Sequence, residues 1–90
     1  MYFLAINRIK PDVEPREVGA AIAAHIAWTR RMISEGKMVQ AGKWGNDGGM
    51  AIIRADCMGE ARSILDQDPL VTSALVAVEV ARLHPDVEIP

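Results

Sequence analysis

The clearest hydrophobic pattern along the chain lies between Pro15 and Gly36. Apolar or weakly polar residues recur there at three- and four-residue steps, as on the buried side of an amphipathic helix. These residues are Val18, Ile22, His25, Ile26, Thr29, Met32 and Ile33. Proline suits a first helical turn, and glycine accepts the positive φ that often follows the last one. The pattern predicts a long helix with a histidine in the middle of its core-facing stripe.

A second pattern, at the start of the chain, indicates a strand. Residues Tyr2–Ile9 are mostly aliphatic, β-branched or aromatic, and the run stops before Pro11. Successive side chains of a strand point to opposite faces. The two sets are Phe3, Ala5 and Asn7 on one face, and Tyr2, Leu4, Ile6 and Arg8 on the other. Both sets begin with apolar residues, so we expect both faces of this strand to be covered.

The second half of the chain contains a hairpin, a helix and a final strand. In order, the pattern predicts a strand over Met38–Trp44, a turn over 45–49, a strand over Met50–Ala55, a helix over about Met58–Gln67, a turn over 70–73 and a strand over Ala74–Leu83. The glycine-rich turn is typical of a hairpin. The Asp68-Pro69 pair ends the helix, because the residue before proline avoids the helical conformation.

The predicted order of elements is βαββαβ. Two βαβ halves joined by a hairpin give a ferredoxin-like α+β plait, in which two helices cover one face of a four-stranded antiparallel sheet. Ninety residues suffice for one such domain, over 1–90. Apolar residues also alternate onto the face without helices. We therefore expect a homodimer that buries this open face against a second copy, with further assembly of dimers left open.

Composition restricts the partners and the cellular location. A net charge of −2, with ten basic and twelve acidic residues, provides no field that attracts nucleic acid. No apolar run approaches the length of about 20 residues that spans a bilayer. Cys57 is the only cysteine, so the chain has no internal disulfide. These features predict a cytoplasmic protein that binds neither nucleic acid nor membrane.

The candidate chemistry centres on His25. The long helix of a plait lies across the sheet, so its midpoint comes near the end of the second helix, where Asp68 stands. A carboxylate beside an imidazole fixes the tautomer of the ring and suits the pair for proton transfer. The alternatives are structural: a histidine packed within the core, and an aspartate that forms the turn before proline.

Other residues are candidates for contact with a small substrate. Asn7 and Arg8 end the first strand, Trp28 and Trp44 can form pocket walls, and Ser73 follows the Asp-Pro segment. Packing is the alternative for the two tryptophans, and an exposed strand end is the alternative for Asn7 and Arg8. We expect Glu79 to pair with Arg54 or Lys43, His84 to be exposed and Cys57 to be buried. The two histidines and one cysteine show no metal-ligand spacing, and no cofactor motif occurs.

The order and spacing of several motifs resemble the YCII-related family over nearly the whole chain. The residues that carry this resemblance are His25-x-x-Trp28, Gly36, Gly42, Gly48-Gly49, Glu60-Ala61, Asp66 to Leu70, and Val78-Glu79-Val80. The resemblance implies a dimeric α/β barrel with a catalytic His25–Asp68 pair. Some members of that family are dehydrochlorinases of chlorinated aromatics. Leu70 stands where the family usually has an aromatic residue, and Asn7 and Arg8 occupy a region that is often acidic.

A weaker resemblance connects the chain with muconolactone isomerases. It rests on Gly36-Lys37, Gly42 to Trp44, Asp68 to Leu70 and Arg82 to Pro85. Both resemblances imply proton transfer, elimination or isomerisation on a small oxygenated or aromatic metabolite, without a tightly bound cofactor or metal. The alternative is a non-catalytic dimer that holds a metabolite in the same pocket.

Overall fold

The computed structural model describes residues 1–90, which form four strands and three helices. They are β1 (Tyr2–Ile9), α1 (Pro15–Ser34), β2 (Met38–Trp44), β3 (Gly48–Arg54), α2 (Met58–Leu65), α3 (Pro69–Thr72) and β4 (Val76–Leu83). The strands form one antiparallel sheet in the order β2-β3-β1-β4. This arrangement confirms the predicted ferredoxin-like plait.

The local signals at the ends of α1 act as the sequence predicts. Pro15 occupies the first helical position, and the backbone N–H of Glu14 donates to the Glu17 carboxylate over 2.8 Å. At the other end Gly36 has a φ of +74°, and the N–H of Lys37 donates back to the carbonyl of Met32 over 2.9 Å. This terminal geometry places β2 directly after the helix.

The segment around Asp68 differs from the prediction. A short helix, α3, replaces the expected turn, and β4 begins at Val76 instead of Ala74. The Asp68 side chain accepts a hydrogen bond from the backbone N–H of Leu70 and so caps α3, in which Pro69 is the first residue. Ala74, at a φ of 58°, then redirects the chain into β4. Capping and tertiary packing together stabilise a helical turn that is too short to show a periodic pattern.

The main core lies between one face of the sheet and the helices. Its members are Phe3, Ala5, Trp28, Met32, Met38, Ile53, Ala55, Ala61, Ile64 and Leu65. Phe3 and Ala5 alternate onto this face of β1, as expected, and Ala61, Ile64 and Leu65 of α2 are buried. A smaller cluster of Leu70, Leu75 and Val76 joins α3 to β4.

The stripe predicted on α1 is only partly correct. The buried residues of α1 are Met32, which belongs to the stripe, and Trp28, which does not. Ile22, Ile26 and Ile33 of the stripe remain 37%, 44% and 38% exposed. The tryptophan side of the helix packs into the core. The isoleucine side is directed toward a cavity between α1 and the sheet. Hydrophobic spacing locates the apolar half of a helix but does not fix its rotation on the sheet.

The second face of the sheet carries no helix. Leu4 lies opposite Ile52, and Ile6 opposite Met50, in the register of β1 and β3, and all four side chains are half-buried in the single chain. Glu79 on β4 pairs with Arg8 over 3.2 Å, so the prediction of Arg54 or Lys43 as its partner is wrong. The open face is therefore apolar along its centre.

Two further expectations concern single features of the surface. Cys57 precedes α2 and is exposed, so the prediction of a buried thiol is wrong. His84 is exposed, as expected. No helix has both the length and the apolar character that crossing a membrane demands.

The Gly48→Ala substitution tests the close approach of β3 to β1. A Cβ at position 48 would meet the backbone carbonyl oxygen of Asn7. We expect the free energy of unfolding to fall by about 1–3 kcal/mol, since the strands must separate to admit the methyl group. Gly42→Ala is the matched control because its Cβ would meet nothing within 4 Å. Urea denaturation measures both; equal stabilities of the two variants would contradict the interpretation.

Candidate active site

A cavity of about 640 Å³ lies between α1 and the helix-covered face of the sheet. Its walls are largely apolar, and the polar side chains among the lining residues are few: Asn7, His25, Trp28, Thr29, Arg30, Gln40, Lys43, Asn46 and Asp68. This volume and this mixture are typical of sites for small organic molecules.

His25 and Asp68 form a hydrogen-bonded pair at this cavity. The distance between His25 Nδ1 and Asp68 Oδ1 is 2.7 Å. Asp68 is 4% exposed and is the one polar or charged residue in the buried set of the chain. Its Oδ1 atom also accepts a hydrogen bond of 2.9 Å from the backbone N–H of Leu70. The carboxylate is thus fixed by two donors, one from α1 and one from α3.

The local sequence explains why these two side chains meet. His25 occupies the middle of α1, and its backbone carbonyl accepts a hydrogen bond of 2.9 Å from the Thr29 hydroxyl. Asp68 lies between α2 and α3, where Pro69 favours an extended backbone at the preceding residue. Because α1 packs against α3, the aspartate faces the central turn of the long helix.

The second nitrogen of the imidazole is available to a ligand. Nε2 of His25 makes no hydrogen bond within the protein. Every buried side-chain nitrogen or oxygen except Trp28 Nε1 has a hydrogen-bond partner, so the unpartnered Nε2 atom is not buried. The His25 Nε2 atom is therefore reached by solvent, in a side chain that is 21% exposed. An ionised carboxylate can only accept, so Nδ1 carries a proton and the neutral ring presents an unprotonated Nε2. This arrangement can accept a proton from a bound molecule.

The other side chains predicted to contact a substrate separate into two groups. Asn7 and Trp28 line the cavity. Arg8 lies on the opposite face of the sheet, Trp44 is 54% exposed at the end of β2, and Ser73 is exposed after α3. None of these last three lines the cavity in this chain. Their predicted binding role has no support from this placement.

Several lining residues were not predicted from the sequence to contact a substrate. Arg30 and Lys43 line the cavity and form no ion pair with an acidic side chain. Gly49 leaves space for the amide of Asn7, whose terminal atoms would lie 3.4 Å from a Cβ at that position. The alternation of strand residues offered a signal for Lys43, whereas the rim position of Arg30 depends on the rotation of α1.

Trp28 connects the cavity with the core. Its side chain is 4% exposed, and its indole ring lies 6.1 Å from the imidazole of His25, centroid to centroid. The indole Nε1–H has no hydrogen-bond acceptor in the protein.

No group of three His, Cys, Asp or Glu side chains lies close enough together to hold a metal ion. His25 and Asp68 are thus the titratable side chains at the cavity that have fixed hydrogen-bond partners.

These features define an α+β plait with a histidine–aspartate pair in a cavity beneath its long helix. The YCII-related domain model matches residues 1–84, and the chain belongs to this family. No curated protein matches the chain in sequence. The resemblance inferred from the motifs is therefore confirmed at the level of the family.

Two solved structures have the same fold. One is 5-chloro-2-hydroxyhydroquinone dehydrochlorinase from Burkholderia phenoliruptrix, in complex with 2,5-dihydroxybenzoquinone. It superposes with a TM-score of 0.78 and 23% sequence identity, over 93% of this chain and 94% of that one. The other is muconolactone isomerase, with a TM-score of 0.74 and 19% identity, over 100% of this chain and 97% of that one. At these identities the likeness establishes the fold.

The tautomer of His25 can be measured by long-range ¹H–¹⁵N NMR of the imidazole nitrogens at alkaline pH, where the ring is neutral. We expect Nδ1 to show the chemical shift of a protonated nitrogen, because it donates to Asp68. His84 is the internal control, since it is the only other histidine and is exposed. A His25 spectrum with the same tautomer balance as His84 would contradict the hydrogen-bond assignment.

Proposed function

We propose that this chain is a cytoplasmic enzyme that moves a proton on a small oxygenated or aromatic metabolite, with His25 as the general base and acid. The observation that carries the proposal is the 2.7 Å bond from His25 Nδ1 to Asp68, which leaves Nε2 directed to solvent at the cavity. A positioned imidazole of this kind typically accelerates proton transfer by about 10²–10⁴-fold.

The proposed reaction begins with transfer of a proton from a C–H or O–H bond of the substrate to His25 Nε2. The bonding electrons remain on the substrate, and the Asp68 carboxylate stabilises the imidazolium that forms. In an isomerisation the same nitrogen returns the proton to a different atom of the substrate. In an elimination that electron pair forms a double bond while a leaving group departs with the electron pair of its bond to carbon, and His25 then releases the proton to the leaving group or to water. Neither route uses an external oxidant or reductant.

The lining residues favour an anionic, ring-sized substrate. The apolar walls of the cavity suit an aromatic or lactone ring, and Asn7 can bind a carbonyl or hydroxyl oxygen. Arg30 and Lys43 add positive charge without neutralising partners. The two structural neighbours carry names that describe reactions of small ring compounds, which supports this choice. Lactone acids and hydroxylated aromatic acids are the compounds to examine first.

A second candidate is a binding protein that holds such a metabolite without converting it. The observation in its favour is that Asp68 also caps α3 through the N–H of Leu70. The aspartate therefore has a structural role whether or not His25 transfers protons. The two candidates differ in turnover and not in the expected position of the ligand.

Hydrogen exchange from solvent tests the catalytic proposal. The protein is incubated in D₂O with lactone acids and hydroxylated aromatic acids, and ¹H NMR follows carbon-bound protons and new products. We expect His25→Gln to slow the reaction by about 10²–10⁴-fold, since the base is lost. Asp68→Asn should also slow it, because a neutral amide no longer stabilises the imidazolium.

The matched control for this experiment is His84→Gln, which removes an exposed histidine that does not line the cavity. It should retain the wild-type rate. Ligand binding without any exchange or product in the wild-type protein would contradict the enzyme proposal and favour the metabolite-binding protein. Equal rates for wild type and His25→Gln would remove His25 from the mechanism.

We also propose that two copies of the chain associate through the open face of the sheet. Leu4, Ile6, Met50 and Ile52 form a contiguous apolar centre on that face, and no element of the same chain covers it. Removal of such a surface from water is the main favourable contribution to protein association. A symmetric dimer buries this face on both chains at once.

The Ile6→Lys substitution tests this association by placing a charge at the centre of the open face. We expect light scattering coupled to size-exclusion chromatography to give a dimer mass for the wild type and a monomer mass for the variant. Val87→Lys is the control, since Val87 is 82% exposed in the C-terminal segment. Circular dichroism checks that both variants are folded. A wild-type monomer at micromolar concentration would contradict the dimer.

A further inference from the structure

The indole N–H of Trp28 is a buried donor that the protein leaves without an acceptor. The tryptophan is 4% exposed, and the buried side chains of its core cluster are apolar. Buried donors in native proteins almost always have a hydrogen-bond partner, supplied by the protein, by water or by a ligand. Within the protein the Trp28 N–H has no acceptor, so it is available to water or to a bound molecule.

The cavity borders the side chain of Trp28, although the indole nitrogen itself is buried. Trp28 is among its lining residues, together with His25 and Asp68. Trp28 and His25 are three residues apart on α1, and the two rings are 6.1 Å apart between centroids at an interplanar angle of 36°. A ring-sized molecule at Nε2 of His25 therefore lies beside the indole, and a small rotation of the Trp28 side chain is needed to bring its N–H to that molecule.

We propose that Trp28 selects substrates that carry an acceptor oxygen, by donating its Nε1–H to a carbonyl or phenolate oxygen of the bound molecule. This inference rests on the proposed function for its chemical setting. When His25 removes a proton from a conjugated ring, negative charge develops on such an oxygen, and a fixed neutral donor stabilises that charge. Trp28 would then contribute to specificity and to the transition state, while His25 moves the proton.

The chain contains two tryptophans, so a Trp44→Phe variant leaves Trp28 as the only indole. Trp44 is 54% exposed and does not line the cavity. In this variant a ¹H–¹⁵N correlation spectrum shows a single indole cross-peak, which reports on the Trp28 N–H. The probe is 2,5-dihydroxybenzoquinone, which carries both carbonyl and hydroxyl oxygens. Toluene, a ring without acceptor atoms, is the matched control.

We expect the indole proton to shift downfield on saturation with the quinone and not with toluene. Biosynthetic replacement of the single tryptophan by benzothienylalanine exchanges the N–H for sulfur with little change of shape. It should weaken quinone binding about five- to tenfold, as the loss of one hydrogen bond does, and leave toluene binding unchanged. Unfolding midpoints show whether the replaced protein is intact, and the NMR titration is independent of that replacement.

An indole cross-peak that does not move at saturating quinone would overturn the proposal, and so would an absence of quinone binding. A shift of equal size with toluene would also overturn it, since ring proximity alone would explain the change. The outcomes separate this inference from the enzyme proposal. A hydrogen-bonded indole in a protein without turnover would uphold the role of Trp28 in binding while removing catalysis. Turnover of substrate with an indole cross-peak that does not shift would uphold catalysis and remove the proposed role of Trp28.

Discussion

The Asp68 carboxylate joins two parts of the fold that are distant along the chain. One oxygen accepts hydrogen bonds from the imidazole of His25 in α1 and from the backbone of Leu70 in α3. A buried carboxylate without such donors is strongly unfavourable, so the packing of α1 against α3 and the charge of Asp68 depend on each other. The same bond fixes the tautomer of the ring. Structural stabilisation and proposed chemistry therefore act through a single atom.

The cavity exists because α1 meets the sheet along only one side of its apolar half. Trp28 and Met32 enter the core, while Ile22, Ile26 and Ile33 keep more than a third of their surface exposed. Burying an aliphatic side chain fully contributes about 1.5–3 kcal/mol, so leaving three of them partly exposed costs stability. A bound apolar ring would recover part of that free energy. The incomplete burial of α1 thus favours occupation of the cavity.

The sequence predicted the elements whose signals are local. The limits of β1 and β2, the glycine-rich hairpin and the two ends of α1 follow from alternation, turn residues and capping. The pairing of His25 with Asp68 followed from the placement of the helix midpoint in a plait. The partner of Glu79, the rotation of α1 and the α3 turn were missed or misplaced. Each of these depends on long-range packing, which a periodic pattern does not contain.

Asn7 and Arg8 are neighbours in sequence but belong to different surfaces of this protein, the cavity and the open face of the sheet. They are consecutive in β1, and the alternation of a strand sends their side chains to opposite faces. Asn7 lines the cavity, whereas Arg8 pairs with Glu79 on the open face, where both side chains are more than half exposed. An exposed ion pair contributes little to stability, about 0–1 kcal/mol. Its effect is instead to interrupt the apolar surface beside Ile6, and it thereby limits the area available for association.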